Sequence, residues 1–194
     1  MQSNQQAFEQ YLSGQKKYSS HTVRAYTKDL ADFSSFISVN YDQSTLDDVN
    51  YSQIRSWVVA LIESGNSPTS VNRKIASLKS YFKFLLRIKQ ISENPLVKHK
   101  SLKTPKKLQI PFSEKELDQV LNYITYPEGF EGVRDKLIIE LFYTTGMRRA
   151  ELIGLKVSSV NTNDCTVKIL GKRNKERIVP LLQSVCQNIQ EYLK

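Results

Sequence analysis

The sequence has few of the residues that form disulfides or bind metals. It contains two cysteines, Cys165 and Cys186, and two histidines, and it has neither a Cys-x-x-Cys pair nor a Cys/His cluster. We therefore expect both cysteines to be reduced thiols, as is usual in the cytoplasm. The same scarcity predicts that the protein has no metal site.

Long apolar runs are also missing. The densest apolar patch, residues 137–143, is interrupted by Glu140 and is too short to span a bilayer. The first six residues lack the basic and apolar stretches of a signal peptide. These absences predict a cytoplasmic protein without a membrane partner.

Acidic residues are scarce in one segment, although the composition as a whole is that of a globular protein. From Val71 to Pro111 there are eleven Lys and Arg and one acid, Glu93, so this segment has a formal charge of +10. The rest of the chain sums to −1, which gives the formal net charge of +9. A solvated surface would mix its signs, whereas a concentrated positive charge is typical of a nucleic-acid-binding surface.

The first hundred residues predict four helices. Apolar residues recur at three- and four-residue spacing, and each helix has a recognisable start or end. The predicted spans are residues 5–12, residues 20–38 after a cap at Ser19 or Ser20, residues 52–64, and a fourth helix with Ser67 as N-cap and Pro68 at its first position.

The fourth helix carries two separate stripes. Val71, Ile75, Leu78, Phe82 and Leu85 form an apolar stripe, and a polar stripe holds Asn72, Lys79, Lys83 and Arg87. A solvated helix face is the commoner role for such cations, but it normally includes alternating acids, and these are absent here. We therefore expect this face to contact DNA.

The lysine-rich stretch 99–111 contains Pro105 and Pro111 and predicts an extended basic linker.

A second, mixed α/β domain is predicted to begin at Phe112. Ser113-Glu-Lys-Glu116 is a capping box, a helix is expected over residues 132–145, and a short helical turn follows over 148–153. Residues 166–170 and 177–180 predict a β-hairpin, and a last helix is expected over residues 182–193. The predicted fold class is therefore mainly α with a small β-hairpin or sheet.

Two patterns in this domain point to phosphate chemistry. In Thr144-Thr-Gly-Met-Arg148, a glycine ends a helix and an arginine follows, and Glu151 lies three residues further, where it can orient Arg148. A guanidinium suits charge that develops on a phosphate. The hairpin gathers lysines and arginines, and a lysine can protonate a leaving oxygen. A structural Arg–Glu pair without a chemical role explains Arg148 and Glu151 equally well, and a solvated hairpin is the more usual role of a lysine-rich loop.

The residues of these two patterns resemble the first arginine box and the lysine-bearing hairpin of the tyrosine recombinase (phage integrase) family. The chain is most similar to the bacterial Xer-type members, and the matching stretches occur in the family's order. The other stretches are the helix Ser19–Leu30, the helix Val71–Leu85 followed by Asn94-Pro95, and the joint Thr104–Ser113.

The resemblance implies a four-helix, SAM-like core-binding domain in residues 1–98, a linker in 99–111, and the first part of a catalytic domain in 112–194. Such enzymes clamp duplex DNA, and a tyrosine attacks the scissile phosphate to give a 3′-phosphotyrosyl link; no metal or other cofactor is needed. The complete protein is expected to work as a tetramer of recombinase protomers on two DNA sites.

The resemblance also implies individual roles. Arg148 is the first catalytic arginine, Lys172 is the proton donor, and Glu151 supports catalysis. The predicted DNA-binding residues are Arg73, Lys79, Lys83, Arg87, Lys106, Lys107, Arg173 and Lys175.

The chain departs from the family pattern in three places. Arg149 stands where an apolar residue is usual, and Arg173 replaces a second hairpin glycine. The family's His-x-x-Arg box and tyrosine nucleophile follow the hairpin and do not occur before Lys194, so these 194 residues are expected to bind DNA without cutting it. The alternative is a non-catalytic DNA-binding accessory protein derived from the integrase clamp.

Overall fold

The computed structural model describes residues 3–106, 108–171 and 174–194. The chain divides into two compact units, Met1–Lys107 and Leu108–Lys194, and each has its own hydrophobic core. The first half of the predicted linker belongs to the first unit, since Leu102 packs against its core. The domain limits at residues 98 and 112 remain predictions.

The first unit is the predicted four-helix domain. Helix α1 (Asn4–Gln10) continues into a π-helical turn (Tyr11–Gln15), and α2 (Ser20–Tyr41), α3 (Tyr51–Glu63) and α4 (Pro68–Arg87) follow. Ser19 and Ser67 cap α2 and α4 by accepting hydrogen bonds from the backbone N–H groups of Thr22 and Ser70. The expected cap and proline signals are therefore confirmed.

The core of the first unit confirms the predicted apolar stripe of α4, whose five members are all buried. Phe33 of α2 packs against Trp57 of α3 with ring centroids 4.9 Å apart. Phe8 of α1 meets Tyr81 of α4 edge to face at 5.3 Å. Three polar residues, Asp29, Gln53 and Ser77, are also buried in this unit.

The second unit is mixed α/β, as expected. Its helices are α5 (Glu114–Asp118), which runs into a π-helical turn (Gln119–Tyr123), α6 (Phe130–Thr145), α7 (Arg149–Ile153) and α8 (Gln183–Tyr192), with a 3-10 turn at Val157–Ser159. Strands β1 (Val160–Asn161), β2 (Thr166–Leu170) and β3 (Glu176–Pro180) form an antiparallel sheet in the order β1-β2-β3.

The register of the sheet fixes which side chains face inward. Val167 pairs with Val179, and Ile169 pairs with Arg177. Val167 and Ile169 are fully buried against α6 and α8 residues such as Leu137 and Ile189. The predicted hairpin is confirmed, whereas the two-residue strand β1 was not predicted because it is too short to show an alternating pattern.

None of the described helices has both the length and the apolar character needed to cross a membrane.

Candidate active site and nucleic-acid interface

Arg148 is held between two helices. Helix α6 ends at Gly146, whose left-handed backbone (φ 60°) lets its N–H bond to the carbonyl of Phe142 at 3.1 Å. Met147 is buried, and Arg148 is the N-cap of α7 in an extended conformation. Its side chain is 75% exposed. The backbone of Arg148 is thus fixed by the two helix ends, while its guanidinium faces solvent.

Glu151 is the polar centre of the site. Its carboxylate is 5% exposed and accepts four hydrogen bonds from two arginines. Arg148 donates its backbone N–H at 2.8 Å and Nη1 at 3.1 Å. Arg177 donates Nη1 at 3.0 Å and Nη2 at 2.8 Å. These bonds, those of Arg177 first and then that of the Arg148 N–H, lower the pKa of Glu151 to about 2, so it stays charged and orients both arginines.

The neck of the hairpin lies against the same carboxylate. Gly171 donates its N–H to the carbonyl of Lys175 at 2.7 Å. A Cβ at Gly171 would lie 3.2 Å from Glu151 Oε1 and 3.3 Å from the Lys175 carbonyl. Because Gly171 has no side chain, the Glu151 carboxylate can lie close to the hairpin backbone and pair with Arg177 there.

The predicted hairpin residues divide into two groups. Lys172, the proposed proton donor, and Arg173 lie outside the described residues. Lys172 follows Gly171 directly in the sequence. Lys175 is described and exposed.

On the first unit, α4 presents the predicted row of cations. Lys79, Lys83 and Arg87 are exposed. Arg87 lies over the ring of Tyr11, with its guanidinium carbon 5.5 Å from the ring centroid and Nη1 3.3 Å from the hydroxyl. Asn72 has a different role from the cations of its stripe, since its carboxamide bonds to the backbone of Leu102.

Arg73 is committed to an ion pair. Its Nη1 and Nη2 donate to the two oxygens of Asp29 at 2.6 and 3.0 Å, although its side chain is 52% exposed. Its predicted DNA contact remains a prediction. Of the two predicted linker residues, Lys106 is exposed, and Lys107 lies outside the described residues.

Two functional contacts were not predicted from the sequence. Arg177 alternates with Ile178 on β3 and shares the inward face with Val179, and a charged residue at such a position indicates a buried partner. Asp29 lies on the apolar side of α2, three residues after Tyr26 and four before Phe33, and it is buried. Both signals were present as interruptions of an apolar pattern.

Comparison with known proteins agrees with this architecture. Residues 6–89 match the phage integrase N-terminal SAM-like domain, and residues 111–194 match the phage integrase family. The chain belongs to the phage integrase family of tyrosine recombinases.

Within this family the chain is similar to tyrosine recombinases XerC. It is 35% identical over 191 residues to that of Pelobacter propionicus, covering 96% of this chain and 62% of the relative. It is 35% identical over 190 residues to that of Listeria innocua, again covering 96% and 62%. The chain thus spans less than two thirds of the length of these relatives.

Solved structures share the fold. The Tn1549 transposon integrase in complex with transposon right end DNA superposes with a TM-score of 0.74 at 18% identity, over 98% of this chain and 64% of that one. The XerH recombinase bound to its difH substrate gives a TM-score of 0.62 at 19% identity, over 89% and 52%.

Proposed function

We propose that the gene product containing this chain is a site-specific recombinase that cuts and rejoins duplex DNA through a 3′-phosphotyrosyl intermediate. The observation that carries the proposal is the fixed, outward-facing Arg148, whose backbone and guanidinium both bond to the buried Glu151. The relatives named tyrosine recombinase XerC support the same chemistry.

Arg148 would stabilise the scissile phosphate. A guanidinium keeps its charge at any physiological pH and offers two parallel donors to phosphate oxygens. Glu151 takes up one Nη1 donor of Arg148 and leaves the rest of a largely exposed guanidinium for a ligand. Pre-arranged charge of this kind lowers the barrier because no reorganisation is needed as negative charge develops.

Arg177 and Glu151 are proposed as positioning residues that link the hairpin to Arg148. Their two hydrogen bonds join β3 to α7, and Gly171 allows that approach. Lys172, the next residue, would then protonate the leaving 5′-oxygen near the phosphate bound by Arg148. Arg173 and Lys175 would add phosphate contacts beside it.

Double-stranded DNA is the proposed substrate. The exposed row of Lys79, Lys83 and Arg87 supports phosphate binding by the first unit, and Arg73, Lys106 and Lys107 are further proposed contacts. The solved neighbours described as bound to transposon DNA and to a difH substrate favour duplex DNA as the ligand. We further propose that copies of the protein assemble as a tetramer on two sites in the cytoplasm.

The catalytic roles can be tested in the gene product that contains this chain. On a nicked suicide substrate, Arg148→Ala should abolish the covalent protein–DNA adduct while duplex affinity stays within about threefold, because its partner is the phosphate in transition. Arg134→Ala is the matched control, since Arg134 lies on α6 and pairs with its exposed neighbour Asp135. Unchanged adduct formation by Arg148→Ala would remove the catalytic assignment.

The proton-donor role of Lys172 can be tested by changing the leaving group of the DNA substrate. Lys172→Ala should slow cleavage of normal DNA, and a 5′-phosphorothiolate substrate should restore the rate because sulfur leaves without a proton. Equal slowing on both substrates would contradict proton donation. Specific binding with no adduct from the unmodified gene product would favour the non-catalytic accessory protein.

A further inference from the structure

Asn72 makes a two-point contact with the chain that leaves the first unit. Its Nδ2 donates to the carbonyl of Leu102 at 2.9 Å, and its Oδ1 accepts the N–H of Leu102 at 2.9 Å. The Leu102 side chain packs against the core of the first unit. One side chain on α4 thus satisfies both backbone groups of a residue thirty positions later, in a stretch without regular secondary structure.

The segment before Leu102 is held at two further points. Leu96 is fully buried, and the ring of His99 meets Tyr51 edge to face at 6.1 Å. Burial, and next the charge of Lys79, lower the pKa of His99, so its ring is a neutral packing group. The chain is therefore held against the first unit at Leu96, at His99 and again at Leu102.

The anchored segment carries a second set of exposed cations. The side chains of Lys98, Lys100 and Lys103 are exposed on either side of the anchored residues. From Val71 to Pro111 the sequence supplies one acid, Glu93, to offset them. The first unit thus presents exposed cations both on α4 and on the segment that is anchored to it.

We propose that Asn72 is a positioning residue for DNA binding, which fixes Lys98, Lys100 and Lys103 beside Lys79 as a preformed phosphate-binding surface. The inference rests on the proposed function only in taking duplex DNA as the ligand. An unanchored basic segment would lose conformational entropy when it bound phosphate, whereas this one is ordered beforehand. The ordinary alternative is that Asn72 only closes a loop.

A double-mutant cycle on the whole chain separates these two roles, with a fluorescein-labelled random-sequence duplex as the probe. At one salt concentration, Asn72→Ala should weaken binding by about tenfold. In a Lys98→Gln/Lys100→Gln/Lys103→Gln background the same change should have an effect of less than about twofold, because the three side chains that Asn72 is proposed to position no longer carry a charge. Asn40→Ala is the matched control, since Asn40 also bonds a backbone carbonyl, that of Phe36, on an exposed helix end.

A second readout follows the anchor itself without DNA. Trypsin should cut after Lys100 and Lys103 about tenfold faster in Asn72→Ala than in the parent chain, because local opening controls proteolysis. Where Asn72→Ala fails to fold at the assay temperature, Asn72→Ser carries the same comparison. Equal losses of affinity in both backgrounds, or unchanged affinity despite faster cleavage, would overturn the positioning role. A parent chain that does not bind duplex DNA would overturn the proposed DNA binding as well.

Discussion

The buried Asp29 joins α2 to α4, and its replacement should weaken the first unit substantially. Its side chain is 2% exposed. Besides the two bonds from Arg73, it accepts Lys74 Nζ at 3.3 Å and Ser77 Oγ at 2.7 Å. The change Asp29→Asn keeps the shape of the side chain and removes the charge that these donors surround.

The size of the effect follows from the exposure of the partners. Breaking a buried ion pair costs roughly 3–5 kcal/mol when the remaining charge is left without compensation. Arg73 is half exposed and can turn to water, and Lys74 keeps its 2.7 Å pair with Asp32. We therefore expect the low end of that range, about 3 kcal/mol for Asp29→Asn.

Trp57, the single tryptophan of the sequence, lies in the core of the first unit and makes the assay specific to it. With a urea dependence of about 1.5 kcal/mol per molar, the fluorescence midpoint should fall by about 2 M. Asp32→Asn is the control, because Asp32 is 41% exposed and its pair should contribute less than about 1 kcal/mol. Equal, small shifts for both variants would refute the role given to Asp29.

Two further predictions concern the second unit. A Cβ at Gly132 would lie 1.8 Å from the carbonyl oxygen of Pro127. Gly132→Ala should therefore destabilise this unit by about 1–3 kcal/mol. Thermal unfolding followed by circular dichroism measures the effect, and an unchanged unfolding midpoint would contradict this close packing. Folding lowers the pKa of Glu151 from 4.5 to about 2. The charged Glu151 side chain therefore stabilises the folded state fully above pH 4.5, and this stabilisation is lost as the pH falls towards 2. The gap in unfolding midpoint between the parent chain and Glu151→Gln should therefore narrow on acidification, and a pH-independent gap would argue against the charged contact.

Much of the helical framework was predictable because it depends on local signals. Ser67 and Pro68 start α4, and its apolar stripe faces the core, as the spacing indicated. The hairpin was predictable for the same reason, since its strands have β-branched residues beside turn residues. The hydrogen bond that Arg148 donates to Glu151 was predictable from their three-residue spacing.

Contacts between distant residues were not predictable from local pattern. Arg177 reaches Glu151 across 26 positions, and Arg73 reaches Asp29 across 44. Asn72 was grouped with the cations of α4 because helical spacing gives the face of a residue and not its partner. Such pairs depend on how elements pack, and a single sequence carries no direct record of that packing.

If the first unit binds duplex DNA through a preformed row of cations, as proposed, its affinity for DNA should fall steeply as the salt concentration rises. Six exposed side chains lie on α4 and the segment anchored to it: Lys79, Lys83, Arg87, Lys98, Lys100 and Lys103. Six phosphate contacts predict a slope of log affinity against log salt of about −5, which is roughly a thousandfold loss between 50 and 200 mM.

Fluorescence anisotropy of the chain on a labelled duplex measures this slope directly. Lys83→Glu should weaken binding and flatten the slope by about one, because one phosphate contact is lost. Asp32→Asn, which removes a negative charge and leaves the row intact, should do neither. A slope near −5 that responds to Lys83 in this way is the predicted result, and absence of binding at low salt, or binding that does not change with salt, would contradict the claim.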